Sequence, residues 1–170
     1  MQKIDCKVLV CDPAVGKTYL ASCDDRFIDL DGMKADYKYD LYDVPLIEKE
    51  RGKLNRGDTI RHDSSKYAIN LLNEELKNGK IILLSHNKKI VDYLKSNNIK
   101  YCVIYADINA REEYRERMKN RGNNDIFISK MTDENEWNKF YEEKINDPYP
   151  AYKIKLEKGK YLSDIKDMFI

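Results

Sequence analysis

Three groups of residues in this 170-residue chain have the types and spacing to do chemistry on an anion. The first is Cys11-Asp12-Pro13-Ala14-Val15-Gly16-Lys17-Thr18. It lies between an apolar run, Lys7-Val8-Leu9-Val10, and a segment from Lys17 to Ala21 that reads as the opening of a helix. A loop of this kind can aim backbone N–H groups at a phosphate, with a helix N-terminus behind them and a lysine reaching further out. Its sequence form is G-x-x-x-x-G-K-[ST] directly after a strand. Gly16, Lys17 and Thr18 satisfy that form, and Cys11 stands where its first glycine belongs. If Cys11 had to adopt a glycine-like conformation, the strain would cost about 1 kcal/mol; a changed loop shape is the alternative. A Gly-Lys-Thr can also simply turn a strand into a helix. Read as a phosphate loop, residues Asp12 to Gly16 line the anion, Lys17 reaches the β and γ phosphates, and Thr18 ligates Mg²⁺. ATP and Mg²⁺ are the ligands implied.

The second group is Asp29 and Asp31, at the end of an apolar segment, Phe27 to Asp31, where alternation puts both carboxylates on one side. The competing reading is that Asp31-Gly32 is only a turn signal and Asp29 caps a neighbouring group. The third is Arg117 and Arg121. Four of the eight arginines fall between Arg111 and Arg121, and residues four apart share a helical face, so these two can converge on one anion. The bland alternative is a solvated helix whose arginines pair with Glu112, Glu113 and Glu116.

The elements that must position these groups follow from periodicity. Short apolar runs at 7–10, 27–31, 81–85 and 101–105, and the alternating Ala151 to Leu156, read as five strands. Helical segments lie between them: Thr59 to Lys77 (with Arg61 opening it), a stretch around Ile90 to Leu94, Ala110 to Asn120, one from Thr132 or Asp133 through Tyr141, and a last one from Ser163. Strands alternating with helices imply an α/β fold in three layers, a mainly parallel five-stranded sheet with helices on both faces. A ligand is expected at one edge of that sheet, beyond the strand ends. A single domain over 1–170 is expected. Residues 33–58 show no clean period and read as an insertion containing some helix.

Composition bounds the function classes. A formal charge of +1 speaks against a basic nucleic-acid binder, and no run approaches the ~18–20 apolar residues that span a bilayer. Residues 1–5 carry no secretory-leader pattern, so a cytoplasmic protein without a membrane is expected. Cys6, Cys11, Cys23 and Cys102 lack metal-ligand spacing and read as reduced thiols.

With loop, carboxylates and arginine-rich helix in that order, the chain resembles the nucleoside monophosphate kinase (adenylate kinase-like) branch of the P-loop kinases, especially small phage-type members. The resemblance spans nearly the whole chain, although only Gly16-Lys17-Thr18 is a specific motif. It implies a P-loop NTPase fold and a helical lid at about 108–131, whose R-x-x-x-R pair, here Arg117 and Arg121, closes over the triphosphate. It also implies that one of Asp29 and Asp31 holds Mg²⁺ through water while the other accepts a proton. The main chain at Gly159 and Lys160 would touch the adenine. An acceptor nucleotide would sit against the insertion at about 33–61, with Arg61 as its phosphate clamp. Many P-loop enzymes carry an aspartate after the third strand; Ser85-His86 stands there instead, with His86 and Lys88 near enough the sheet edge to touch the acceptor phosphate.

Three activities fit these residues: phosphoryl transfer from ATP to a nucleoside or deoxynucleoside monophosphate, the same transfer to a hydroxyl on a polynucleotide end or small metabolite, and nucleotide binding with little turnover.

Overall fold

The apolar runs become one sheet because each is buried on both faces. In a computed structural model, which describes residues 3–30, 37–39, 59–61 and 64–170, β1 (Val8–Cys11) is buried at all four positions. A continuous apolar run of this kind, with no alternation, is what a central parallel strand requires. Alongside it lie β2 (Phe27–Asp29), β5 (Ile81–Ser85), β6 (Cys102–Ala106) and β7 (Tyr152–Leu156), in the order β2-β5-β1-β6-β7 and all parallel. Cys11 pairs with Ser85 on one side and Ile104 on the other, so β1 and β5 end level while β6 runs on to Ala106. The chain leaves β1 for the far edge at β2, returns to β5, then passes over β1 to β6. That reversal opens a crevice beyond the carboxyl end of β1.

The helices among the described residues are α1 (Lys17–Cys23), α2 (Ser64–Lys77), α3 (Lys88–Ser96), α4 (Arg111–Asn120), α5 (Asp125–Thr132), α6 (Glu134–Asn146) and α7 (Leu162–Ile165). They cover both faces. One face buries Leu9, Cys11, Cys102 and Ile104 under Leu20 of α1, Tyr114 of α4 and Leu162 of α7. The other buries Val8, Val10, Ile82 and Leu84 under Ala68 and Leu72 of α2 and Ile90 and Leu94 of α3. Helix α6 packs over β6, where Tyr141 meets Tyr105 edge-on with ring centroids 5.6 Å apart. No described helix is long and apolar enough to cross a membrane.

Two expectations are corrected. Thr59 to Arg61 form a strand, β4, not the start of a helix. It pairs antiparallel with β3 (Tyr37–Tyr39), Tyr37 opposite Arg61, and α2 begins only at Ser64. The β-branched Thr59 and Ile60 favour extension once a partner strand exists, and a periodicity count cannot see that partner. The second correction is α5. The sequence marks 122–124 only as a break, but the Asn124 side chain accepts from the Phe127 N–H at 2.8 Å and starts a helix there. Helices α4 and α5 occupy the expected lid segment.

Because that cap is the local reason for the start of α5, Asn124→Ala should destabilise the protein by about 1 kcal/mol, read from chemical denaturation.

Candidate functional site

The bend between β1 and α1 sits at the crevice, and its geometry follows from which groups it must satisfy. Asp12 N–H donates to Ile104 O (3.1 Å) and His86 N–H donates to Cys11 O (3.0 Å), splicing the tips of β1, β6 and β5. Beyond that splice the chain turns through two left-handed residues, Ala14 at φ 59° and Gly16 at φ 90°. The strain expected at Cys11 is not found. Cys11 is an ordinary strand residue, fully buried, and its thiol approaches Leu9 O at 3.6 Å. The bend begins three residues later, so the unfavourable backbone falls on Ala14, at about 1–2 kcal/mol for a residue with a Cβ.

The loop carbonyls are held from outside. Ala14 O accepts from Arg117 (3.4 Å), Val15 O from Leu162 N–H (3.0 Å) and Gly16 O from Leu20 N–H (2.9 Å); Lys17 Nζ donates to Asp12 O at 3.3 Å. In a planar trans peptide the C=O and the following N–H point in opposite directions. Carbonyls anchored outward therefore turn the N–H groups of Val15, Gly16 and Lys17 the other way. Gly16 is the N-cap of α1, which has no side-chain cap. A Cβ on Gly16 would meet the Tyr161 ring at 3.4 Å, an ordinary contact, so it is the left-handed conformation that calls for glycine here.

Thr18, one residue further, donates its hydroxyl proton to Asp29 Oδ2 at 2.7 Å. Asp29 is buried at the end of β2. These two of the expected metal residues are therefore brought together, while Asp31 lies outside the described residues. A hydroxyl beside a carboxylate fits Mg²⁺, which keeps several waters and takes further ligands from phosphates. Among the described residues no cluster of three or more His, Cys, Asp or Glu side chains is placed to hold a metal by itself.

The arginines divide. The Arg117 guanidinium lies over the Tyr161 ring, 3.7 Å from its centroid, and bonds Lys160 O at 2.9 Å as well as Ala14 O. It also pairs with Glu113, whose carboxylate accepts the Gly159 N–H at 2.9 and 3.1 Å. Its side chain is only 8% exposed, and among the described residues its buried Nε has no hydrogen-bond partner. Arg117 thus fastens the β1–α1 loop to the turn after β7, and Glu113, one of the acids the helix-surface reading names, is its partner. Arg121 is engaged elsewhere, its Nε donating to Asn123 Oδ1 at 3.1 Å. The expected base contacts at Gly159 and Lys160 meet main-chain groups that other residues hold: Gly159 N–H by Glu113, and Lys160 N–H by Glu157 O at 3.0 Å.

Of the expected acceptor residues, Lys88 is turned to the surface, its Nζ 2.6 Å from Asp92 on its own helix. Arg61 is placed by its backbone in β4. His86 is partly buried at the loop, spliced to Cys11 through its N–H. Burial, with Lys144 nearby, lowers its imidazole below the ordinary 6.5.

Sequence reading missed the side chain of Asp12. Expected to contribute main chain, Asp12 is instead a buried carboxylate. One oxygen is 2.5 Å from Lys144 Nζ and the other accepts the Ala106 N–H at 3.0 Å. The pair faces a small cavity lined also by Pro13, Tyr114, Trp137 and Phe140. Only the acid itself, beside a proline in the loop, could have signalled it.

Two predictions follow from this geometry. Restoring glycine at the loop's first position, Cys11→Gly, should lower stability by about 1–2 kcal/mol in denaturant titrations, because strand and core lose a buried side chain and no strain is relieved. Because the folded His86 value is depressed, the unfolded chain takes up the proton first as pH falls below 6.5. Its contribution is complete at neutral pH and is lost on acidification toward the folded value. The Tm of His86→Asn should accordingly fall less than that of the wild type between pH 7.5 and 5.5.

No protein-family model matches this chain, and no curated protein matches its sequence.

Proposed function

We propose that the chain binds a nucleoside triphosphate in the bend at Asp12–Thr18 and transfers its terminal phosphoryl group to a nucleoside or deoxynucleoside monophosphate. The observation that carries this reading is the direction of the loop. With the Ala14, Val15 and Gly16 carbonyls held by Arg117, Leu162 and Leu20, the opposing N–H groups are left to converge at the start of α1, beside Lys17. Such a concavity of amides, closed by an ammonium, favours a polyphosphate.

In this reading Lys17 exchanges the Asp12 carbonyl for phosphate oxygens. Thr18 and Asp29 hold Mg²⁺, which when bound neutralises phosphate charge and orients the terminal group. An ionised monophosphate acceptor needs no strong base, so positioning and charge neutralisation carry the rate. The hydrogen bond that ties Asp29 to Thr18 favours a metal-holding role for Asp29 over that of a general base. Arg121 is the arginine assigned to the migrating phosphoryl group, and Arg117 holds the loop in shape.

The test offers the pure protein ATP, Mg²⁺ and a panel of monophosphates and follows ADP release. One monophosphate should stimulate turnover, and Lys17→Ala should reduce it by at least about 100-fold with an unchanged circular dichroism spectrum. ADP release that depends only on a hydroxyl acceptor, or ATP-dependent thermal stabilisation without turnover, would reject this reading.

A further inference from the structure

A carboxylate inside an anion-binding loop requires explanation. Asp12 opens the bend, and its charge would oppose a polyphosphate entering the same turn. The carboxylate cannot swing into solvent, because Oδ2 is held by the Ala106 N–H at 3.0 Å and the side chain is 9% exposed. Lys17 does not serve it, since its Nζ reaches the Asp12 carbonyl. Among the described residues the cation on the carboxylate is Lys144, 2.5 Å away and itself 8% exposed. Lys144 comes from α6, far along the chain and on no expected site.

We propose that Lys144 is a positioning residue of the phosphate loop: it cancels the Asp12 charge so that the bend stays attractive to a polyphosphate, and ties α6 to the loop that ligand enters. The inference rests on the nucleotide reading above. A buried pair of this sort adds little net stability, yet removing one partner leaves the other charge buried and uncompensated. The two partners therefore have opposite electrostatic consequences for an anion. Without Lys144, the loop keeps a bare carboxylate; without the Asp12 charge, it keeps a bare ammonium. A role confined to packing has no such sign.

The experiment measures dissociation constants for MgATP and for inorganic tripolyphosphate by calorimetry at fixed ionic strength, with Tm alongside, for wild type, Lys144→Met, Asp12→Asn and the double variant. Both single variants should melt lower than the wild type. Lys144→Met should weaken both ligands about tenfold, Asp12→Asn should tighten them about two- to fivefold, and the double variant should return to within about threefold of wild type. If Lys144→Met does not fold, Asp12→Asn decides: tighter binding upholds the inference and weaker binding overturns it. Wild type that binds neither ligand removes the nucleotide reading and this inference together. Wild type that binds, with both single variants weakened alike, overturns the inference and leaves the nucleotide reading standing.

Discussion

The rest of the site depends on the planarity of the six peptide units between Cys11 and Lys17. A buried central strand must end, turn and enter a helix within a few residues, and each carbonyl in the turn needs a donor. Donors come from β5, α1, α4 and α7, at His86, Leu20, Arg117 and Leu162. Once these are in place the facing amides have one direction left to point. Of these donors only Arg117 is a side chain; the others are main-chain N–H groups.

The energetically costly groups gather at the same place. Ala14 is left-handed, Asp12 and Lys144 are a desolvated ion pair, and Arg117 Nε is buried without a hydrogen-bond partner among the described residues. Each costs free energy that the two apolar clusters around the sheet must offset, and strain concentrated in a crevice is a common mark of a functional segment. The Asp29–Thr18 contact belongs to the same group, a buried carboxylate held at the mouth of the loop.

Helix α4 serves two purposes at once. Its inner residues, Tyr114 and Met118, close the core, with Tyr114 packed 5.5 Å from Trp137. Its charged residues divide by position. Glu113 and Arg117 bind the turn after β7 to the β1–α1 loop, whereas Arg115 with Glu112 and Lys119 with Glu116 are exposed surface pairs of the kind that contribute little. A helix read as a cluster of arginines is therefore half fastener and half solvated face.

Read alone, the chain revealed the elements whose signal is local. Four of the sheet strands announced themselves as apolar runs because a central parallel strand is buried on both faces, β7 announced itself by alternation, and Gly16-Lys17-Thr18 was legible because one turn dictates its residues. What depended on partners distant in sequence was decided only by folding. Thr59 to Arg61 became a strand because residues 37–39 pair with it; the strain passed from Cys11 to Ala14 because Ser85 and Ile104 hold Cys11 in the sheet. The Asp12 carboxylate found its counter-ion on α6 for the same reason. Spacing along a chain encodes helix faces and strand alternation, but which carbonyl meets which donor, and which charge is buried against which, is set when β1, β5 and β6 pair side by side.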